Sequence, residues 1–296
     1  MEIPRRTYDS GMAALLLAPM FWGGNFVVGR MIGGDVPPAW LNLFRWVLAA
    51  VVLAPFFLPG VMRIRKYVVR ELPALAVLSA LGLVGFNNFL YLGLASANLA
   101  SAALTFALTP FLVIFIDACV GSRRLNLRTV SLSLMCFFGV VLSQWSDLSG
   151  DQVSSLGMIY LAAAAVSFAA YSVALRYLAQ SIPSSEGFFA QVLLCVPIQF
   201  WIALQVAPDF SVWELEEREW ISIAYLGVFA SAFAFSLWSR GLRRINSEQA
   251  GGFLALVPVF AGFFGWAFLN GETSGTELGL LVLVACAAFG LSRVPK

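Results

Sequence analysis

From Leu72 to Ile116 the chain runs 45 residues without a charged side chain. As one continuous helix this stretch would be about 67 Å long, against a hydrocarbon core of about 30 Å. It must therefore fold back on itself. Gly93–Asn98 gathers the small and turn-prone residues where that turn belongs, so the stretch predicts two membrane crossings, near 72–93 and 99–119. The whole chain agrees with a bilayer as solvent. Its 296 residues are 60% hydrophobic and 11% charged, and a soluble domain carries about twice that charge.

Further apolar stretches fall at Gly11–Gly29, Leu41–Pro59 and Thr129–Ser146, then near 156–177, 187–207, 219–240, 247–269 and 276–292. The total is ten, five in each half. Arg5 and Arg6 before Gly11–Gly29 fit a signal peptide, but no small-residue cleavage site follows, and nine more spans make it a first transmembrane helix. Ten crossings place both termini on one side. That side receives Arg5, Arg6, Arg63, Arg65, Lys66, Arg70, Arg123, Arg124, Arg128, Arg176, Arg240, Arg243, Arg244, Arg293 and Lys296, which is 15 of the 18 basic residues. The other side receives Arg30, Arg218 and the acidic loops, with Arg45 in or near the second span. The positive-inside rule makes the basic side cytoplasmic, in an inner membrane.

A second feature organises the spans. Gly93–Pro110 and Gly241–Pro258 are one segment written twice at a constant offset of 148, with Gly93/Gly241, Leu94/Leu242, Asn98/Asn246, Ala102/Ala250, Ala107/Ala255, Leu108/Leu256 and Pro110/Pro258 identical. At offset 146, Trp22 matches Phe168, Val27 matches Val173 and Arg30 matches Arg176. The expected fold is all-α and polytopic, with ten transmembrane helices in two repeats, residues 1–148 and 149–296. Five spans per half make the repeats inverted, an arrangement in which secondary transporters place substrate near the bilayer midplane.

Span 1 carries Phe21-Trp22-Gly23-Gly24-Asn25-Phe26, span 2 carries Arg45, both copies of the repeated segment end in Leu-x-Pro, and Leu269-Asn270-Gly271-Glu272 follows the second. Over essentially its whole length this resembles the EamA branch of the drug/metabolite transporter superfamily. Within that branch it is similar to bacterial inner-membrane exporters of aromatic and other hydrophobic amino acids. The family's glycine-glutamate after the first proline helix is replaced by Val120-Gly121-Ser122-Arg123, which argues against a coupling role for Glu272. The resemblance implies an exporter working by alternating access on a small-molecule substrate, here amino acids, in contact with membrane lipid.

Polar groups at membrane depth are costly and often functional. Asn25, Asn87, Asn88, Tyr91, Thr105, Ser167, Tyr171, Ser236 and Trp238 are such groups. Each serves either an interhelical hydrogen bond or a substrate. As a set, amides and hydroxyls with few charges suit a zwitterion with an apolar side chain. Trp22, Phe26, Phe86, Tyr91, Phe106, Tyr171, Trp238 and Phe253 lie on the spans expected to line the path, either facing it or packing elsewhere. The candidate binding set is Trp22, Asn25, Phe86, Asn87, Asn88, Tyr91, Thr105, Phe106, Tyr171, Trp238 and Phe253. Pro110 and Pro258 fall near mid-span, where a proline breaks a helical hydrogen bond; each is a hinge or a static kink. Gly23, Gly24, Gly82, Gly85, Gly93, Gly251 and Gly252 permit close packing or sliding.

The chain has no histidine, and Cys119, Cys136, Cys195 and Cys286 are scattered through apolar stretches. No nucleophile–base pair, paired acids or metal cluster emerges, so neither an enzyme, a cofactor nor a metal site is expected. No basic run suggests nucleic acid, and the expected state is a monomer. Arg45, Asp117 and Glu248 are read as lying towards helix ends. With no acid at depth, the expectation is facilitated rather than proton-coupled export. The alternatives are export of other metabolites or drugs, possibly proton-coupled, and a channel or receptor scaffold.

Overall fold

Apolar runs bounded by proline and by charge become helices in the computed structural model, which describes residues 5–32, 34–96, 102, 105–120, 127–143, 154–243, 245, 247–268, 282, 284, 286 and 290. The helices are α1 (Arg5–Ile32), α2 (Pro38–Arg63), α3 (Leu72–Ser96), α4 (Thr105–Cys119), α5 (Leu127–Ser143), α6 (Ser155–Tyr177), α7 (Ser184–Val206), α8 (Glu217–Leu242) and α9, in two pieces over Ser247–Leu254 and Leu256–Phe268. No strand occurs among the described residues. Six of these helices are long and apolar enough to cross a membrane: α1, α2, α3, α6, α7 and α8. α4 and the Gly252–Phe268 part of α9 are shorter apolar helices. Most of the expected tenth span, together with Asn98, Asn246 and Glu272, lies outside the described residues.

Local chemistry sets the starts. Pro37 and Pro183 are the N-caps of α2 and α7, consistent with the freedom of a helix's first turn from internal N–H bonds. Ser154 caps α6 through its hydroxyl, which accepts from the Gly157 amide at 3.3 Å. Glu216 and Glu219 form a capping box on α8. Between α6 and α7, Ala179 adopts a left-handed conformation with φ 52°. Arg243 clamps that turn, donating to the carbonyls of Ile182 at 2.6 Å and Ala179 at 3.3 Å.

Two features recur in both halves. Ser79–Gly85 in α3 and Leu226–Phe233 in α8 are π-helical, so each helix carries a widened turn at an offset of about 147. Both α4 and α9 are interrupted shortly before their prolines, by a turn at Leu108 and at Ala255. The missing proline N–H explains a break there, since Pro110 and Pro258 cannot donate to the preceding turn. Ala107 and Ala255, identical positions of the repeated segment, are buried in one small cluster with Val284.

Small residues let the helices approach closely. A Cβ at Gly23 would lie 2.4 Å from Phe260 Cβ and 2.8 Å from the Ala261 nitrogen, where α1 meets α9. At Gly82 it would lie 2.4 Å from the Tyr171 ring, and at Gly93 2.5 Å from Leu161. Because backbone cannot step aside cheaply, Gly23→Ala is expected to cost about 1–3 kcal/mol. A lowered thermal midpoint in detergent checks this, and an unchanged midpoint would contradict the packing described.

Candidate functional site

Arg45 lies two turns inside α2 and is fully buried. It stands in the N-terminal third of α2, and its complete burial is what the reading towards a helix end did not convey. Its Nε donates to Ser231 Oγ at 2.7 Å. Its Nη1 donates to Asn25 Oδ1 at 3.1 Å, to Asn87 Oδ1 at 2.7 Å and to the Tyr91 hydroxyl. Its Nη2 reaches the Ala230 carbonyl at 3.4 Å. The Tyr91 hydroxyl in turn donates to Asn25 Oδ1 at 2.8 Å. One guanidinium thus ties α1, α2 and α3 of the first half to α8 of the second. All of these partners are neutral. Desolvating an isolated ion costs several kcal/mol, so a cation held only by dipoles favours an anion from elsewhere.

The π-helical turns help make this possible. An i→i+5 turn leaves carbonyls short of their usual partners, and at membrane depth those must be met by protein. In α3, Asn87 Nδ2 donates to the carbonyls of Gly82 at 3.2 Å and Leu83 at 3.1 Å, and Trp46 Nε1 adds a bond to Leu83 at 3.2 Å. Ser167 of α6 donates to Leu81 at 2.8 Å. In α8, the Ser231 hydroxyl donates to Leu226 at 2.8 Å, while Trp22 Nε1 meets the Ala230 carbonyl at 3.1 Å. The freed carbonyls orient Asn87 and Ser231, and their remaining lone pairs face Arg45.

Beside this network stands a layer of packed rings. Trp22 meets Phe168, Phe235 and Trp238 edge to face, with centroids at 5.2, 5.2 and 5.4 Å. Phe168 also touches Phe86 at 4.7 Å, Phe106 at 5.6 Å, Tyr171 at 5.9 Å and Trp238 at 6.0 Å. Trp22 and Phe168, matched at offset 146 in the sequence, are therefore in direct contact.

The candidate residues fall into three groups. Asn25, Asn87 and Tyr91 join the Arg45 network. Trp22, Phe86, Phe106, Tyr171 and Trp238 join the ring layer, and Phe253 is buried in the same core. Asn88 is turned elsewhere: its side-chain amide pairs reciprocally with Gln199 of α7, at 2.8 and 3.0 Å. Thr105 is buried on α4. Near the end of α4, buried Asp117 accepts from the Tyr177 hydroxyl at 2.5 Å. Sequence reasoning left Arg45, Ser231, Phe168 and Phe235 out of the binding set. The signal for Arg45 was present, as a lone charge in an apolar span; for Phe168 it was the match to Trp22.

Among the described residues, cavities lie away from the rings. One of about 550 Å³ opens at the end carrying the acidic loops, lined by Asp35, Glu214, Glu216, Arg218 and Glu219, with Arg218 and Asp35 paired at 2.5 Å. An apolar one of about 370 Å³ lies between α1, α8 and α9, against Gly24, Val27, Met31, Tyr225, Phe264 and Phe268.

Comparison with known proteins places this geometry. The model of the EamA-like transporter family matches twice, over residues 9–145 and 155–293. An uncharacterized transporter of Bacillus subtilis (YyaM) is 25% identical over 292 residues, covering 95% of this chain and 94% of that one. A probable amino-acid metabolite efflux pump of Salmonella typhimurium is 26% identical over 293 residues, covering 94% and 93%. A biotin transporter of Escherichia coli is 23% identical over 245 residues, covering 81% and 79%. A crystal structure 23% identical in sequence shares the fold with a TM-score of 0.77, over 96% of this chain and 98% of the other.

Proposed function

The chain belongs to the EamA-like transporter family, and on that premise we propose that it exports aromatic and other hydrophobic amino acids across the inner membrane by alternating access. The observation that carries the reading is Arg45, a buried cation without an acidic partner among the described residues, set beside a layer of aromatic rings. A cation favours a carboxylate, and ring faces favour an apolar or aromatic side chain. The relative named as an amino-acid metabolite efflux pump supports the same substrate class. Export then involves separating the two repeats, residues 1–148 and 149–296, in inverted topology with both termini cytoplasmic. Pro110 and Pro258 supply hinges at the helix breaks. Without an acid in the Arg45 network, transport is facilitative, and the carrier acts as a monomer.

The relatives named as biotin transporters favour a second reading. Biotin is also a carboxylate on a largely apolar body, so the same cation serves it. Uptake into proteoliposomes with a panel of twenty amino acids and biotin separates the two. We expect saturable transport of Phe, Trp, Tyr or Met without substrate-dependent proton movement. Transport of biotin alone would replace the first reading with the second. Proton movement coupled to substrate would remove the facilitative mechanism.

A further inference from the structure

The apolar cavity between α1, α8 and α9 continues towards the acidic loops. A further cavity of about 660 Å³ lies against α1 and the first turns of α8, and it shares Val28, Met31 and Tyr225 with the apolar one. The two form one groove. It runs along α1 from Gly24 to Met31 and along α8 from Glu217 to Tyr225. At 1.5 Å per residue these stretches rise about 10 and about 12 Å. Half of a 30 Å hydrocarbon core is about 15 Å, so the groove has nearly the depth of one leaflet. Met31, Ile221 and Phe268 on its walls are exposed. It therefore opens sideways, where a chain that spans a bilayer meets lipid.

Its chemistry changes with depth. The deep end is formed by Gly24, Val27, Phe264 and the Tyr225 ring. The one side-chain polar group there, the Tyr225 hydroxyl, is satisfied by the Phe21 carbonyl at 3.0 Å. The shallow end carries Glu216, Glu217 and Arg218. Hydrocarbon below and charge at the level of the headgroups is the profile of a phospholipid. The charges also discriminate between phospholipids. Arg218 donates through Nε to Glu219 and through Nη2 to Asp35. A guanidinium has five N–H donors, so others remain for phosphate oxygens. Glu217, the next residue, is exposed. Around Arg218 stand Asp35, Glu216, Glu217 and Glu219, four carboxylates against one guanidinium. That balance repels a headgroup of net negative charge and attracts one that carries an ammonium beside its phosphate.

We propose that this groove binds a phospholipid with a primary-ammonium headgroup, in the leaflet on the side of the acidic loops. One acyl chain lies against Gly24, Val27 and Phe264, the phosphate meets Arg218 and the ammonium meets Glu217. The site rests on the bilayer as the chain's solvent and not on the identity of the cargo. Because α1 belongs to the first half and α8 and α9 to the second, the bound lipid lies across the boundary between the repeats.

The test uses the purified full chain, stripped of lipid in detergent and supplied with dioleoyl phosphatidylethanolamine, phosphatidylcholine or phosphatidylglycerol. Native mass spectrometry reads the lipid retained. We expect one ethanolamine lipid per chain, with the glycerol lipid held at least about tenfold more weakly. The choline lipid should also be weaker, because its quaternary ammonium has no N–H to donate to Glu217. Glu217→Lys is expected to move the preference towards the glycerol lipid by at least about tenfold. Met31→Trp sets an indole into the shared part of the groove and should weaken all three lipids at least about tenfold. Met31 is 40% exposed, so the lipid-free thermal midpoint should stay level. Should Met31→Trp fail to fold, the reversal in Glu217→Lys decides alone. No retained ethanolamine lipid, equal retention of the three, or an unchanged preference in Glu217→Lys would each overturn the site. Displacement of the lipid by phenylalanine would assign the groove to substrate and overturn it too. If the lipid pattern holds while proteoliposomes move no amino acid, the amino acid reading falls and the lipid site stands.

Discussion

Arg45→Gln is expected to reduce transport to background. It should also lower the thermal midpoint by about 4–24 °C, taking about 1–3 kcal/mol for each of two buried acceptors that glutamine leaves unmet and about 2–4 °C per kcal/mol for a chain of this size. The reason lies in the partners left behind. Ser231 Oγ, Asn25 Oδ1, Asn87 Oδ1 and the Tyr91 hydroxyl all accept from one guanidinium. Glutamine supplies two N–H donors in a single direction, so it cannot span α1, α3 and α8 together. Arg45→Lys separates charge from geometry. An ammonium keeps the cation but is a compact donor on a flexible stem. Transport is therefore expected to fall at least about tenfold, with a smaller loss of stability. Wild-type KM and maximal rate in Arg45→Gln would remove Arg45 from the substrate path altogether.

The second large effect is expected at Trp22. Its ring touches Phe168, Phe235 and Trp238, and its Nε1 meets the Ala230 carbonyl in the widened turn of α8. Trp22→Ala removes a buried ring from a packed layer, for which about 3–5 kcal/mol is the usual cost. Transport should be lost with it, because the layer packs against the widened turn of α8 that holds Arg45. Trp22→Phe keeps a ring and loses the hydrogen bond, so about 1–2 kcal/mol is expected. Trp213 serves as the control. It is 95% exposed, and Trp213→Ala should leave the midpoint unchanged. Equal midpoints for Trp22→Ala and Trp213→Ala would refute the ring layer as a packed element. Unfolding followed by circular dichroism measures all three.

Much of the fold was readable because a bilayer allows few solutions. Apolar runs located α1 to α9 to within about six residues at each end, and the duplicated segment put a matching proline in α4 and α9, each just after a helix break. The burial of Arg45 was not read. Counting from Leu41 put it near an end, whereas α2 begins at Pro38 and its first two turns lie inside the protein. The π-helical turns had no local signal. Nothing in Ser79–Gly85 distinguishes it from ordinary α-helix, since the widened turn is held by Asn87 just beyond it and by Trp46 and Ser167 from other helices. Which aromatics turn inwards was also hidden. Phe235 is fully buried, while Phe233 on the same helix is 45% exposed. In a helix apolar on all sides, periodicity does not mark the inner face.

The widened turns also say something about ancestry. A π-helical turn arises when one residue is added to an α-helix without unravelling it. Ser79–Gly85 and Leu226–Phe233 carry that extra residue at matching places in the two halves. One insertion before the duplication explains both; two coincident insertions after it would be needed otherwise. On that account the widened turn, with the carbonyls that now steady Arg45, is older than the duplication. Arg45 now draws on the widened turns of both halves, through Asn87 in α3 and Ser231 in α8.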